Sequence, residues 1–294
     1  MTATLRDIAK LAGVNAGSVS RVLQNHPRAR AFRPETRQRI LEAAQKLHYR
    51  RNELAAAIRT GRNRTVAVIT RLDESHKSVA AADSAVIAGI LDEATRLDHN
   101  VKLFADHGLP AAFDSLVSRR IDRVLSQSVD PDKRARTARF CRKHGLKLVF
   151  LFERPVGAFP AVTTADRASM RDAVLHLARA GHRRVALACG PHRFHYVRER
   201  HAGYRAGLKQ AGLEYRPGYA VCSDDPKRQQ ALDALLGRPA GDRPTAFVCI
   251  ADALAFRIQN AALRRRLRVP QDVSVIGFGD CSLSHLSYAP LCTV

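Results

Sequence analysis

The sequence lacks any apolar run near the roughly 20 residues that a membrane-spanning helix needs, and it has no hydrophobic signal region at its start. These absences predict a cytoplasmic protein with no membrane partner. Acidic residues are scarce, since 27 Asp and Glu face 49 Lys and Arg, which leaves a net charge of +22. Such an excess favours nucleic acid as a partner, although a solvated arginine-rich surface is the alternative.

Motifs of catalysis and metal binding are also missing. The chain has no nucleotide-binding glycine loop, no GxSxG elbow and no HExxH motif, so we predict that it is not an enzyme. Its six cysteines occur singly, without CxxC spacing, which predicts buried reduced thiols. The group Cys189, His192, His195 and His201 matches no strong zinc signature, and loop histidines are favoured over a metal site. No metal and no cofactor is predicted.

Basic residues are concentrated at the N-terminus. The segment 1–64 holds 14 Lys and Arg against 4 Asp and Glu, while the remaining excess of +12 is spread over 230 residues. The first fifth of the chain is therefore the electrostatic focus for an acidic partner.

The stretch 4–23, TLRDIAKLAGVNAGSVSRVL, has the pattern of two short helices joined by a tight turn. Thr4 and Asn15 are the expected N-caps, Asp7 completes a capping box, and Gly13 suits the left-handed turn position. The predicted inner face comprises Ile8, Ala9, Val14, Val19 and Val22, whereas Arg6, Lys10, Ser18, Ser20 and Arg21 face water or a partner. This pattern is typical of a helix-turn-helix.

A third helix and a polar linker follow. Pro34 suits the first helical position, and a three-helix core is predicted to be closed by Ile40, Leu41, Ala44 and Leu47. The segment 50–64, RRNELAAAIRTGRNR, is too polar for a core and predicts a short hinge helix that forms only when packed against a partner copy and DNA. A solvated tether is the alternative. The predicted domains are a head at 1–49, a hinge at 50–64 and a core at 65–294.

From Thr65 onward, short β-branched runs alternate with longer helical stretches, which predicts an α/β core. The expected strands are 66–70, 101–105, 123–125, 146–152, 185–188, 246–250 and 273–278. The expected helices are 84–97, 132–144, 168–180, 198–211, 226–236 and 253–267.

The stretch 4–23 resembles the DNA-binding head of the lactose-repressor and galactose-repressor (LacI/GalR) family of bacterial transcription regulators. Further family-like stretches are PETRQRILEAAQKLHY, LARAGHRRVALACGP, RHAGYRAGL, VPQDVSVIGFGD and APLCTV. The resemblance implies an all-α helix-turn-helix head with a hinge helix, joined to a two-lobed α/β core that resembles periplasmic sugar-binding proteins. It also implies a homodimer on a double-stranded DNA operator and a small-molecule effector between the lobes.

Under this resemblance, Asn15 to Arg21 begins the recognition helix, whose N-terminal residues approach base edges in the major groove. Ala16 and Gly17 lie where the family commonly carries longer side chains, and neither offers a side-chain donor or acceptor. Arg21 is therefore the main candidate for reading a base, with a plain phosphate contact as the alternative.

Further DNA contacts are expected outside the recognition positions. Thr4 and Ser18 are predicted to meet phosphate. The hinge carries Asn52 and Ala55 at positions of the family motif, and Ile58 where the family places a leucine wedge in the minor groove. Packing of Ile58 on its own domain is the alternative.

Ligands of two-lobed α/β cores lie beyond the carboxyl ends of strands. On that ground the predicted effector-binding residues are Asp166, Arg200, Asp252 and Asp280. Arg200 matches a family arginine that fastens effector oxygens, and it could serve a hydroxyl or a carboxylate. Ala251 and Gly279 replace two typical sugar-binding side chains, so an unusual effector, or none, is expected.

Two other stretches depart from the family pattern. Residues 72–76, LDESH, stand in place of the usual Asn-Pro-Phe-Phe after the first strand. The chain ends at Val294, whereas family chains continue with another strand and a helix of the first lobe. A shortened or remodelled first lobe with an exposed sheet edge is the expectation.

Together these features predict a sequence-specific DNA-binding transcriptional regulator. We expect a repressor whose operator affinity is altered by a sugar or related metabolite bound between the core lobes. The alternative is a solute-binding protein of the periplasmic type without a DNA role, in which a signal peptide would replace the basic head.

Overall fold

The computed structural model of the chain describes residues 3–24, 26–49, 64–71, 81–222, 227–281, 284–285 and 289–294. The chain divides into two compact units, Met1–Asn63 and Arg64–Val294. Within the described residues, no helix is both long enough and apolar enough to cross a membrane.

The first unit is a helical head. It contains α1 (Leu5–Ala12), α2 (Ala16–Leu23), a 3-10 helix (Pro27–Ala31) and α3 (Pro34–Lys46). The Thr4 hydroxyl oxygen accepts the Asp7 N–H, and the Asp7 carboxylate accepts the Thr4 N–H at 2.8 Å, which confirms the predicted capping box. Gly13 has φ 65°, and Asn15 Oδ1 accepts the Ser18 N–H at 2.7 Å. The predicted turn and second cap are therefore confirmed as well.

The core of the head consists of Ile8, Ala9, Ala12, Val19, Val22, Ala29, Ile40, Ala43 and Ala44. Two expectations from the sequence are wrong here. Ser18 is only 6% exposed, because it lies beside Val19 on the inner face of α2 instead of facing water or a partner. Leu41 is 46% exposed, since the inward positions of α3 are 40, 43 and 44 and Leu41 falls beside that stripe.

The second unit has two lobes, each built on a parallel sheet. The strands of the first sheet are β1 (Thr65–Thr70), β2 (Asn100–Ala105), β3 (Arg123–Ser126), β4 (Lys147–Leu151) and β5 (Ala161–Val162), in the order β2-β1-β3-β4-β5. The strands of the second are β6 (Val185–Cys189), β7 (Ala220–Cys222), β8 (Ala246–Cys249), β9 (Ser274–Gly277) and β10 (Cys292–Thr293), in the order β10-β9-β8-β6-β7. In the first sheet, Val68 lies opposite both Leu103 and Leu125.

Helices cover the sheets of both lobes. They are α4 (Ala81–Arg96), α5 (Leu109–Ser118), α6 (Pro131–Lys143), α7 (Asp166–Arg179), α8 (His195–Gln210), α9 (Lys227–Leu236) and α10 (Asp252–Arg264). The predicted two-lobed α/β core is confirmed, and every strand and helix expected in the segment 65–294 is present within a few residues of its predicted bounds. The predicted hinge helix lies outside the described residues. Among the described residues of this unit, the elements that were not expected are α5, two 3-10 helices (Asp106–Gly108 and Pro217–Tyr219) and the very short strands β5, β7 and β10.

The cysteines only partly follow the prediction of reduced thiols. Cys141 and Cys249 are buried free thiols, and burial raises the pKa of Cys141 to about 12. Cys281 and Cys292 are also reduced, but Cys281 is only half-buried and Cys292 is exposed on the short strand β10, so the prediction of burial is wrong at Cys292. Cys189 instead is disulfide-bonded, so the prediction is wrong at this residue. Cys189 ends β6 and lies opposite Cys222 in the parallel register with β7, a proximity that a separation of 33 residues in the sequence does not reveal.

Helices α7 and α8 approach each other closely because α8 carries two glycines at the contact. A Cβ added to Gly203 would lie 2.3 Å from the Arg167 carbonyl oxygen, and one added to Gly207 would lie 2.7 Å from Val174 Cβ. Only glycine fits these two positions. The stretch RHAGYRAGL thus sets the distance between the two helices.

We expect Gly203→Ala to lower the free energy of unfolding of the core by about 1–3 kcal/mol, because the methyl group would overlap the backbone of α7. Gly89→Ala in α4 is the matched control, since a Cβ there meets no atom within 4 Å. The control is expected to raise the same free energy by about 0.5–1 kcal/mol through helix propensity. Urea unfolding followed by circular dichroism measures both variants, and equal shifts would contradict the close-packing argument.

Candidate functional site

The outer surface of α2 offers few side chains to a partner. Asn15, Gly17 and Arg21 are exposed, whereas Ala16 is half-buried against the head core. Ser20 Oγ is already engaged, because it accepts the amide of Gln24 at 2.6 Å. Arg21 is the one charged residue in the α2 sequence.

At Gly17 and Ser18, the surface that α2 offers to a partner consists of main chain and not of side chains. A Cβ at Gly17 would lie 3.2 Å from Asn15 Oδ1, the atom that caps α2, so a side chain here would crowd the cap. The absence of a side chain also lets a partner approach the main chain at the start of the helix. Burial of Ser18 leaves its hydroxyl poorly placed for the predicted phosphate contact, which stays a prediction.

Thr4 is committed to its own helix cap. Its hydroxyl donates to Asp7 Oδ2 at 2.7 Å, and the two hydrogen bonds from Thr4 lower the pKa of Asp7. A hydroxyl has a single proton to donate, so a phosphate contact by Thr4 would require this bond to break. The predicted hinge contacts, Asn52, Ala55 and Ile58, lie outside the described residues, as do residues 72–76.

In the second lobe, the structure brings Arg200 and Asp166 together. Arg200 Nε and Nη2 both lie 2.8 Å from Asp166 Oδ1, and Nη1 donates to the carbonyl oxygen of Ile250. The guanidinium carbon is 3.4 Å from the centroid of the Phe278 ring, and Thr164 Oγ1 donates to Asp166 at 2.7 Å. Burial lowers the pKa of Arg200, and Asp166 opposes that shift. These contacts use three of the five guanidinium N–H groups and hold the pair as a preorganised, charged wall.

Asp252 and Asp280 are brought together elsewhere in the same lobe. Asp252 accepts the Cys281 N–H at 2.8 Å and the Thr293 hydroxyl at 2.7 Å. Thr293 Oγ1 in turn accepts the Asp280 N–H at 3.1 Å. A Cβ on Gly277 would lie 2.1 Å from Asp252 Oδ1, so glycine makes room for the carboxylate. These contacts fasten β10 to the sheet, a structural role for Asp252 that the sequence did not indicate; effector binding by either aspartate stays a prediction.

The polar edge of the first lobe was missed in the sequence. Asp106 follows β2, is buried, and accepts both the Ser128 hydroxyl and the Lys133 ammonium at 3.1 Å. Glu153 follows β4, is also buried, and accepts the N–H of His195 at 2.9 Å. The rule applied to the second lobe, that ligand-facing groups follow parallel strands, would have found both acids.

A cavity of about 320 Å³ lies beside the Arg200–Asp166 pair. Its lining residues are Thr163, Thr164, Ala165, Asp166, Arg167, Ala168, His195 and Glu199. Hydroxyl, carboxylate, guanidinium and imidazole groups therefore surround a space large enough for a small polar molecule.

Metal ligands do not converge in the part of the chain that the structure describes, where no group of three candidate side chains could hold an ion. The rings of His192 and His201 stack with centroids 4.7 Å apart. The prediction that no metal is bound stays a prediction.

A capped helix-turn-helix head joined in one chain to a two-lobed core with charged sheet edges defines a DNA-binding regulator with a ligand-binding core. Two family models match in agreement with this: bacterial regulatory proteins of the lacI family over residues 4–52, and a periplasmic binding protein-like domain over residues 174–294.

Curated relatives extend the match to the whole chain. The probable HTH-type transcriptional repressor ExuR of Bacillus subtilis is 30% identical over 99% of this chain and 86% of its own length. The HTH-type transcriptional regulator MalR of Streptomyces coelicolor is 33% identical over 100% of this chain and 85% of its own length. The chain belongs to the lacI family of bacterial regulatory proteins and is a DNA-binding transcriptional regulator. That its relatives are regulators is consistent with a protein that is not an enzyme.

Solved structures show the same fold. The lac repressor dimer bound to operator and the anti-inducer ONPF has a TM-score of 0.80 at 24% identity, covering 100% of this chain and 87% of that one. The transcriptional regulator CelR in complex with cellobiose has a TM-score of 0.67 at 24% identity, covering 99% of this chain and 87% of that one.

Proposed function

We propose that this regulator is a homodimeric, cytoplasmic repressor without enzymatic activity, whose operator affinity is altered by a small polar effector bound between the lobes of its core. The observation that carries the proposal is the presence, in one chain, of a helix-turn-helix head with both helices capped and a core whose buried Arg200–Asp166 pair lies beside a polar cavity. A solute-binding protein without a DNA role is not favoured, because it has no use for the head.

Sequence reading by the head rests mainly on Arg21 and on the shape of DNA. An exposed guanidinium can make two hydrogen bonds to a guanine, whereas Ala16 can at most touch a thymine methyl group. Gly17 offers backbone only. We therefore expect sequence-dependent DNA deformation to contribute more of the discrimination between binding sites here than in a head with two long side chains at positions 16 and 17.

Effector binding is supported by the charge pattern of the cleft. The two buried acids at the edge of the first lobe, Asp106 and Glu153, and Asp166 of the second lobe each have a basic partner within 4.0 Å. Arg200 is held by bonds to its own lobe but keeps protons for a ligand. Relatives named for cellobiose binding and for the ribose operon make a carbohydrate or related metabolite the effector class that we propose.

Dimerisation through one edge of the first lobe is supported by its exposed apolar side chains. Four of the nine large apolar residues exposed in the described chain lie on consecutive elements around the edge strand β2: Leu91, Leu97, Leu103 and Val117. Exposed apolar side chains that recur on neighbouring elements in this way favour an interface. We propose that a second copy of the chain covers it.

The function is tested by selecting genomic DNA fragments on the full-length chain and on a chain lacking Met1 to Gly61. The full-length chain should enrich a recurrent, roughly palindromic site, and the shortened chain should enrich none while keeping the circular dichroism of a folded core. Equal enrichment by both chains, or none by either, would overturn the proposed role of the head.

Arg21→Ala should relax preference at one base pair in each half-site, with a loss of about 1–3 kcal/mol of discrimination, because two hydrogen bonds to a base are removed. Arg28→Ala is the matched control on the exposed 3-10 helix, and it should weaken all sequences alike through loss of a phosphate contact. Selection of binding sites with each variant gives the comparison. If the sequence preference is unchanged in Arg21→Ala, Arg21 contacts only the phosphate backbone of the DNA and does not read a base.

Leu103→Asp should shift the chain from dimer to monomer, because a charge would be buried in the proposed interface. Val162→Asp is the control, since Val162 is also exposed but lies on β5, at the opposite edge of the same sheet. Sedimentation velocity at matched concentrations reports both masses. A dimer in both variants would place the interface elsewhere.

A further inference from the structure

A buried carboxylate of the first lobe reaches a helix of the second. Glu153 follows β4 and is 2% exposed, and its Oε1 accepts the N–H of His195 at 2.9 Å. His195 is the first residue of α8, which packs on α7 and β6 in the second lobe. The hydrogen bond therefore crosses from one lobe to the other.

Helix α8 has no cap of its own at this end. Its N-cap residue, Phe194, makes no side-chain cap hydrogen bond. The first N–H groups of a helix have no partner inside the helix, and they lie at its positive end, where a carboxylate is favoured. The first lobe thus supplies the acceptor that the second lobe lacks.

The charge of Glu153 is balanced from its own lobe. Arg134 Nη1 of α6 lies 3.7 Å from Glu153 Oε2, and the guanidinium is 4.7 Å from the Phe150 ring centroid. Arg134 also donates to the carbonyl oxygen of Arg154. This buried cation keeps a carboxylate in place that would otherwise be costly to bury.

The backbone before Glu153 is strained in a way that aims its side chain. Phe152 has φ 69°, in the left-handed region that a bulky aromatic residue rarely adopts, and its N–H donates to Val162 at 2.8 Å. Strain of this kind persists only where the surrounding structure enforces it, and it is concentrated at functional positions. Here it turns the chain directly after β4 so that the next residue points to α8.

We infer that Glu153 is a positioning residue that joins the first lobe to the start of α8 and thereby holds the two lobes of the cleft together. Arg200 lies five residues further along the same helix, so a ligand that moves Arg200 also moves the N–H group that Glu153 accepts. The inference rests on the proposed function in one respect, that the cleft binds an effector. The contact between the lobes itself does not depend on that.

The test is amide hydrogen exchange and small-angle scattering on the full-length chain. In Glu153→Ala, exchange in the segment 193–198 should rise by about tenfold or more, the effect expected for loss of a charge-assisted hydrogen bond, and the radius of gyration should increase. Glu93→Ala is the control, because Glu93 is exposed and pairs with Arg96 inside α4. It should leave both quantities unchanged.

Glu153→Gln separates position from charge. It keeps an acceptor oxygen for the His195 N–H and should restore part of the protection in the segment 193–198. Glu153→Met fills similar space without an oxygen acceptor and should not restore it, whereas equal protection in both variants would indicate a merely space-filling role. If Glu153→Ala fails to fold because Arg134 is left unpaired, the double variant Glu153→Ala with Arg134→Met removes both charges and carries the same expectation.

Two results would overturn the inference. One is wild-type protection in the segment 193–198 with an unchanged radius of gyration. The other is an exchange increase spread evenly over both lobes, which would mark a general loss of stability. Duplex binding is measured in parallel. If the wild-type chain binds no DNA, the proposed repressor function fails, while exchange and scattering still decide the role of Glu153.

Discussion

The close approach of α7 and α8 is the constraint on which the second lobe depends. Gly203 and Gly207 bring the two helices to a distance that a methyl group would prevent. That distance places Asp166, at the start of α7, within ion-pair reach of Arg200 on α8. Two glycines that contact no ligand therefore set the geometry of the Arg200–Asp166 pair. The same helix, α8, also carries the His195 N–H group that donates to Glu153 of the first lobe.

Charge is used differently in the head and in the core. The head leaves most of its described arginines exposed, as an electrostatic surface for a polyanion should, because screened surface charges cost little to keep unpaired. The core buries a few charges and pairs most of them: Arg200 with Asp166, Asp106 with the partly exposed Lys133, and Arg134 with Glu153. The buried Asp252 is held instead by hydrogen bonds from Thr293 and Cys281. Buried pairs of this type contribute geometry more than stability. Under the proposed function, affinity for DNA and response to a ligand would therefore depend on different sets of arginine and lysine residues.

Local chemistry made much of the fold predictable from the sequence. The caps at Thr4 and Asn15, the glycine turn and the alternation of β-branched runs with helical stretches each act over a few residues, and all were found where expected. The predictions for Ser18 and Leu41 are wrong because the sequence does not define the width of the apolar face of a helix. Residues at the border of that face can be either buried or exposed. The strands β5, β7 and β10 are too short to show a period.

The site was less predictable because its contacts join distant segments. Asp166 and Arg200 were proposed singly, and only the packing of two helices shows that they form a pair. Asp252 follows a strand, which predicts a ligand-facing carboxylate, but Thr293 and Cys281, about 30 to 40 residues further on, donate hydrogen bonds to it. Glu153 also follows a strand, yet nothing in its neighbourhood in the sequence points to a helix of the other lobe.

The fastening of β10 has a consequence for the behaviour of the protein at high concentration. This strand is two residues long and covers the edge of β9, whose sequence SVIG is apolar and largely buried. So short a ladder would open readily, and an uncovered apolar edge is a template for pairing with other chains. The hydrogen bond from Thr293 to Asp252 keeps this edge closed. We therefore expect the buried carboxylate of Asp252, at the start of α10, also to limit aggregation of the protein.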